Sequence, residues 1–379
     1  VNTPYFDYAA TTPVDPQVLK AISNSLEFDY GNPSAQQHAS GQTAAAQIRQ
    51  ARQQLADLIN ADPAAITWTS GATEANNLAI FGATSFYQQR GRHIICSATE
   101  HSSVLTPCQQ LQRQGYRLTI LQPDRDGIIA PELLMSNLQP DTVLVSIQHA
   151  NNETGVLQDI PALAACLQNH SALLHVDAAQ SLGKVAVDVQ AMDCDLLSLS
   201  AHKVYGPKGI GALYIRRRPR VNLTPMLYGG GQQGALRPGT LPTHQIIGFG
   251  KACEIASAQQ TQEIERLWQL HQRLTTGLDL KGAQPAYHLN GHPSQRLPGI
   301  INLSATDAGN DLLKQLPGYA LANGSACNSS QPGPSHVLLA MGLNRSAAAN
   351  ALRISFGRYS TIEEIDHLVT DLNTLGHRH

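Results

Sequence analysis

Apolar and polar positions along this chain change rhythm several times, and each change marks an element. Short, mostly apolar runs at residues 66–70, 93–97, 117–121, 142–148, 172–177, 196–200 and 211–215 have the length and composition of buried strands. Between several of them lie stretches with helical spacing, such as 73–88 and 103–112. This alternation predicts a largely parallel sheet with helices on its faces, and such sheets bind ligands at the carboxyl ends of their strands. Ahead of the block, Ile48, Ala51, Leu55, Leu58 and Ile59 trace one helical face. Beyond it, 228–242 reads as a long Gly- and Pro-rich loop, 246–274 as helix and 298–304 as a strand. Thr361 and Glu364 form a capping box opening a last helix, with Ile362, Ile365, Leu368, Val369 and Leu372 on one face. The class that follows is α/β: a large domain (16–259) with a mainly parallel seven-stranded sheet, and a smaller α+β domain from 1–15 and 260–379.

Composition narrows the function classes. Basic and acidic residues nearly balance, 26 against 28, and the only basic run is Arg216-Arg217-Arg218, so no nucleic-acid partner is expected. Charged residues make up only 14% while 42% are hydrophobic, which points to a homo-oligomer with a buried interface. No apolar run is long enough for a membrane helix, and the start lacks a signal-peptide pattern, so a cytoplasmic protein is expected. The chain starts at Val1, which leaves open a removed leader. Six cysteines lie far apart with no C-x-x-C pair, so neither a metal site nor a disulfide framework is expected.

Four segments carry candidate chemistry. Ser70-Gly71-Ala72-Thr73-Glu74 follows a strand and opens a helix, an arrangement that either cradles an anion on exposed amides or is a plain turn. In Ser200-Ala201-His202-Lys203 a strand ends in a polar turn, which puts Lys203 at the sheet edge. A lysine there forms a Schiff base if burial and a cationic neighbour lower its pKa; otherwise it is a solvated loop lysine. His175-Val176-Asp177-Ala178-Ala179-Gln180 ends an apolar strand in a carboxylate, suited to pairing with a pyridine nitrogen or to capping a helix. Cys327 sits in the small, polar, Gly- and Pro-containing stretch 322–334, which reads as a mobile loop exposing a thiol. Cys96, in a strand run, and Cys108, Cys166 and Cys253, in helical stretches, read instead as small buried hydrophobes. His101 can reach the sheet edge to stack on a ring or move protons, or is a surface histidine. Arg353, flanked by apolar residues, grips either a substrate carboxylate or a structural partner.

In this order the motifs are recognisable. With Asp7-Tyr8-Ala9-Ala10-Thr11-Thr12-Pro13, Gly31-Asn32-Pro33-Ser34, Thr99-Glu100-His101, Asn151-Asn152-Glu153-Thr154-Gly155, Gly239-Thr240 and Gly324-Ser325-Ala326-Cys327, the chain resembles the NifS/IscS-type cysteine desulfurases over nearly its whole length. These are class V aminotransferases with the fold-type I, aspartate-aminotransferase-like architecture of pyridoxal 5'-phosphate (PLP) enzymes. The resemblance implies that Lys203 holds PLP, Asp177 pairs with its ring nitrogen, Gln180 with its ring oxygen, and His101 lies over the ring. It implies a phosphate site from Ala72, Thr73, Ser200 and His202, with Thr240 reaching in from the partner subunit of a homodimer. Asn152 and Arg353 would bind the carboxylate of L-cysteine. Sulfur would pass to Cys327 as a persulfide, leaving alanine, and then to an acceptor protein such as an iron–sulfur scaffold. His101 and Lys203 would carry protons. The chain departs from the pattern at Pro238, where a small residue is usual, and at His379, where many members continue into a scaffold-docking tail. The rivals are a PLP-dependent cysteine or cystine C–S lyase, a selenocysteine lyase and a non-catalytic assembly platform.

Overall fold

The computed structural model describes residues 3–306, 312–323 and 333–376. The seven apolar runs form one sheet from β1 (Ile66–Thr69), β2 (His93–Ser97), β3 (Arg117–Leu121), β4 (Thr142–Gln148), β5 (Leu173–Asp177), β6 (Leu196–Ser200) and β7 (Gly211–Ile215). Their spatial order is β1-β7-β6-β5-β4-β2-β3. Pairing is parallel from β3 to β6, and β7 alone runs antiparallel to both its neighbours. All seven positions of β4 are buried, as a central strand covered on both faces requires, whereas the edge strand β3 exposes Arg117 and Ile120.

Period-two alternation sends successive side chains to opposite cores. Leu144, Leu196 and Leu213 face the helices Ala72–Phe86 and Ser102–Arg113, packing with Leu78, Ile80, Val104 and Leu111. Val145, Val176 and Leu197 face the other way, onto Leu55 and Ile59 of the chain around the helix Ala39–Leu58 and onto Phe249. Phe249 belongs to the 35-residue helix Thr243–Gly277, roughly 50 Å long at 1.5 Å per residue. Its first half packs on the large sheet, and its second half, through Leu267, Leu270 and Leu274, enters another core.

That second core surrounds an antiparallel sheet of β8 (Tyr287–Leu289), β9 (Ile300–Ala305), β10 (Ala322–Asn323) and β11 (Leu352–Ser355), ordered β10-β11-β9-β8. Only β9 has a counterpart in the sequence pattern, because β8 and β10 are very short and Arg353 interrupts the apolar run of β11. Residues near the start of the chain join this sheet through bridges Tyr5 to Ala320 and Asp7 to Ser355. The capping box holds: Thr361 N–H donates to Glu364 and Glu364 N–H to Thr361 Oγ1, at 2.9 and 3.2 Å. Ile362, expected on the buried face of that helix, is exposed instead, since at about 100° per residue it falls at the edge of the face made by Ile365, Leu368 and Leu372. Cys166 also departs from expectation: it is only partly buried, just beyond the short helix Ile160–Ala165, while Cys96, Cys108 and Cys253 are buried. Among the described residues no helix is long and apolar enough to cross a membrane.

Candidate active site

The carboxyl ends of β1, β4, β5 and β6 surround a cavity of about 560 Å³. Its wall includes Ala72, Thr73, His101, Asn152, Asp177, Gln180, Ser200, His202 and Lys203, so nine of the expected site residues meet in one place. Tertiary structure achieves this by stacking parallel strands whose termini align at one edge.

One end of the cavity is suited to an anion. The helix Ala72–Phe86 begins at Gly71 with no side-chain cap, leaving its first amides directed outward. Gly211 on β7 lets this turn lie against the sheet, since a Cβ there would come within 2.6 Å of Gly71 Cα. Opposite, Ser200 Oγ is buried and has no partner among the described residues. Burial, with Lys203, Lys208 and Lys184 adding to it, pushes His202 down to about 4, so its imidazole is neutral, with Nδ1 3.2 Å from Thr11 Oγ1. Unspent amides, an orphaned hydroxyl and nearby lysines are what a phosphate group would satisfy.

The middle of the cavity holds a carboxylate and an imidazole. Asp177, at the end of β5, accepts from Ala179 N–H at 2.9 Å and from Asn76 Nδ2 at 2.7 Å, so both its oxygens are fixed. His101 caps the helix Ser102–Arg113, its Nδ1 accepting Ser103 N–H at 3.1 Å. Burial first, then Lys203 and His336, lower its pKa, with Asp177 opposing. Gln180 donates to Ala9 O at 2.8 Å and accepts from Lys184 Nζ at 3.2 Å. Lys203 follows β6 in a short 3₁₀ turn, Ala201–Lys203, and lines the cavity. A carboxylate, a lysine and an anion cradle on one sheet edge fit the ring nitrogen, aldehyde and phosphate of PLP.

Two expected residues stand apart from the lining. Arg353 is fully buried on β11, donating to Asn152 O at 3.0 Å and pairing with Asp7 Oδ1 at 2.7 Å. Its structural partnership is thus plain, and its bond to Asn152 O ties it to the cavity wall. Thr240 is exposed and is not part of the lining. Cys327 lies outside the described residues; β10 ends at Asn323, shortly before it.

Sequence reading missed Lys184, Asn76 and Ser103. Lys184 lies four residues after Gln180 in the turn that follows β5, within electrostatic reach of Lys203. Burial, with Lys203 the next cause, depresses it to about 7. Its i+4 spacing from Gln180 was the available signal. Asn76 and Ser103 carried none, being ordinary helix residues by pattern.

Residues 4–368 match the family model described as Aminotransferase class-V. Over 374 residues the chain is 47% identical to a cysteine desulfurase IscS of Photobacterium profundum, covering 98% of this chain and 92% of that one. Among solved structures, a NifS-like protein superposes with a TM-score of 0.90 at 31% identity, covering 99% of each chain. A structure titled SspA in complex with cysteine gives 0.83 at 37% identity, with 95% and 100% coverage. Full-length matches of this kind, on a fold whose sheet edge gathers the same motifs, place the chain in the class V aminotransferase family, among its cysteine desulfurases.

Proposed function

We propose that the chain transfers sulfur from L-cysteine to its own Cys327, releasing L-alanine, with PLP bound at the sheet edge. The observation that carries this reading is the convergence of Lys203, Asp177 and the open cradle at Gly71 and Ser200 on one cavity. Bound PLP supplies an electron sink that labilises bonds at the α-carbon of an amino acid and so activates its sulfur. Lys203 Nζ would hold the cofactor covalently. Asp177, kept oriented by Ala179 and Asn76, would keep a proton on the ring nitrogen. The Ala72 and Thr73 amides, Ser200 and His202 would take the phosphate, and Gln180 the ring oxygen.

Asn152 and Arg353 would hold the substrate carboxylate, Arg353 being kept in place by Asp7. His101 and Lys203 would move protons, burial favouring the neutral ring of His101. The thiolate of Cys327 forms an S–S bond to the substrate sulfur as the C–S bond breaks, and the carbon left behind takes a proton. Cysteine and a thiol thus become alanine and a persulfide with no external oxidant. The exposed position of Thr240 supports its contribution to the cavity of a partner subunit in a homodimer. Separate cores around the two sheets support the assignment of a large unit, 16–259, and a small one carrying Cys327. We assign the protein to the cytoplasm, delivering sulfur to an acceptor such as an iron–sulfur scaffold.

The test is product analysis with PLP and L-cysteine, beside Cys327→Ala. Alanine formation should fall at least about 10²-fold in the variant, and wild type should carry a persulfide. Pyruvate that persists in the variant would instead make the protein a C–S lyase.

A further inference from the structure

The hydrogen bonds of Asp177 and His101 converge on two side chains, Asn76 and Ser103, to which the proposed chemistry gives no contact with substrate or cofactor. Asn76, fully buried in the helix Ala72–Phe86, donates through Nδ2 to Asp177 Oδ2 at 2.7 Å and to Ser103 Oγ at 2.8 Å. These bonds use both hydrogens of the amide nitrogen. Ser103 Oγ in turn lies 2.8 Å from His101 Nδ1, which also accepts Ser103 N–H at 3.1 Å. A ring nitrogen that accepts a backbone N–H carries no proton, so the Ser103 hydroxyl donates to it and the neutral ring keeps its proton on Nε2. Every bond direction from Asn76 outward is then set. Asn76 Oδ1, meanwhile, is buried with no partner among the described residues. A buried orphan acceptor is unfavourable, and its presence fits an amide kept for its two donors.

We infer that Asn76 and Ser103 are positioning residues that tie the Asp177 carboxylate to the His101 imidazole, holding His101 with Nδ1 as acceptor and its exchangeable proton on Nε2. The functional meaning of the tie rests on the proposed roles of Asp177 and His101, but the tie belongs to the chain alone. The charged and titratable groups facing His101 are Asp177 at the end of β5, Lys203 after β6 and His336 of the helix His336–Ala340. Ser103 meets Nδ1 with both its hydroxyl and its backbone N–H, and so sets the state of that nitrogen.

The experiment is an NMR titration of the His101 ring in the full-length protein without PLP, comparing wild type, Ser103→Ala and Ser103→Thr. Alanine removes one of two donors that favour the unprotonated nitrogen, so the His101 midpoint should rise by about half to one pH unit. Threonine keeps the hydroxyl and should stay near wild type. Asn76→Asp replaces the donor with an acceptor and sets a second carboxyl against Asp177. Binding of added PLP should weaken by about tenfold or more in that variant, with its circular dichroism unchanged. A His101 midpoint in Ser103→Ala equal to that of wild type overturns the tie, as does undiminished PLP binding by Asn76→Asp. Wild-type protein that fails to bind PLP overturns the proposed function instead, and the His101 titration still decides the tie.

Discussion

Replacing Lys184 with methionine keeps a long apolar stem and removes the ammonium group. Burial, then the charge of Lys203, lowers the Lys184 pKa from 10.5 to about 7 in the folded chain, against the attraction of Glu263. In the unfolded chain the ordinary value applies, so between pH 7 and 10.5 the unfolded state binds more protons than the folded one and stability rises with pH. Below pH 7 both states are charged and the folded state bears the whole penalty, about 5 kcal/mol at 1.36 kcal/mol per pH unit. Lys184→Met should therefore be more stable than wild type by about 3–5 kcal/mol at pH 6, the lower figure allowing for the lost bond to Gln180. The advantage should shrink steadily from pH 7 and vanish near pH 10.5. Urea denaturation of both PLP-free proteins across this range measures it, and the difference between them isolates Lys184 from other titrating groups. A difference that does not vary with pH, or a variant less stable than wild type at pH 6, would refute the reasoning. The same substitution should weaken PLP binding, since Gln180 loses the donor that orients its amide.

Other consequences can be measured on the same protein. Burial raises Glu153 to about 7, opposed by the bond from Ser335 and by Arg353. The folded state thus holds a proton that the unfolded state releases above about pH 4.5, and stability falls as pH rises to 7. Glu153→Gln should match wild type near pH 4 and exceed it by up to about 3 kcal/mol at pH 8, read by denaturation at both pH values. Arg358 bridges Asp15 at 2.8 Å and Glu263 at 2.9 Å while lying over the Tyr205 ring. Arg358→Met leaves two largely buried carboxylates facing each other and should cost about 3–5 kcal/mol, visible as a lower thermal midpoint at pH 7 that partly recovers at pH 4.

The sequence alone determined the elements of the large sheet and the residue types at its edge. Seven short apolar runs can be buried on both faces only as strands between helices, and a strand that ends in Asp177 or in the turn to Lys203 can present them only at its carboxyl end. Most of the site was legible for that reason. Motif order gave the family, because residues brought together by a common strand polarity leave a fixed sequence along the chain. Pattern could not reach features made by contacts between distant segments. β11 carries Arg353 between Leu352 and Ile354, its charge met by Asp7, about 350 residues away, so periodicity there signalled no strand. Lys184, Asn76 and Ser103 look like ordinary helix or turn residues until packing sets them against Gln180, Asp177 and His101. Burial and hydrogen-bond direction, which decide what a titratable group does, are properties of three-dimensional surroundings, and only the tertiary structure supplied them.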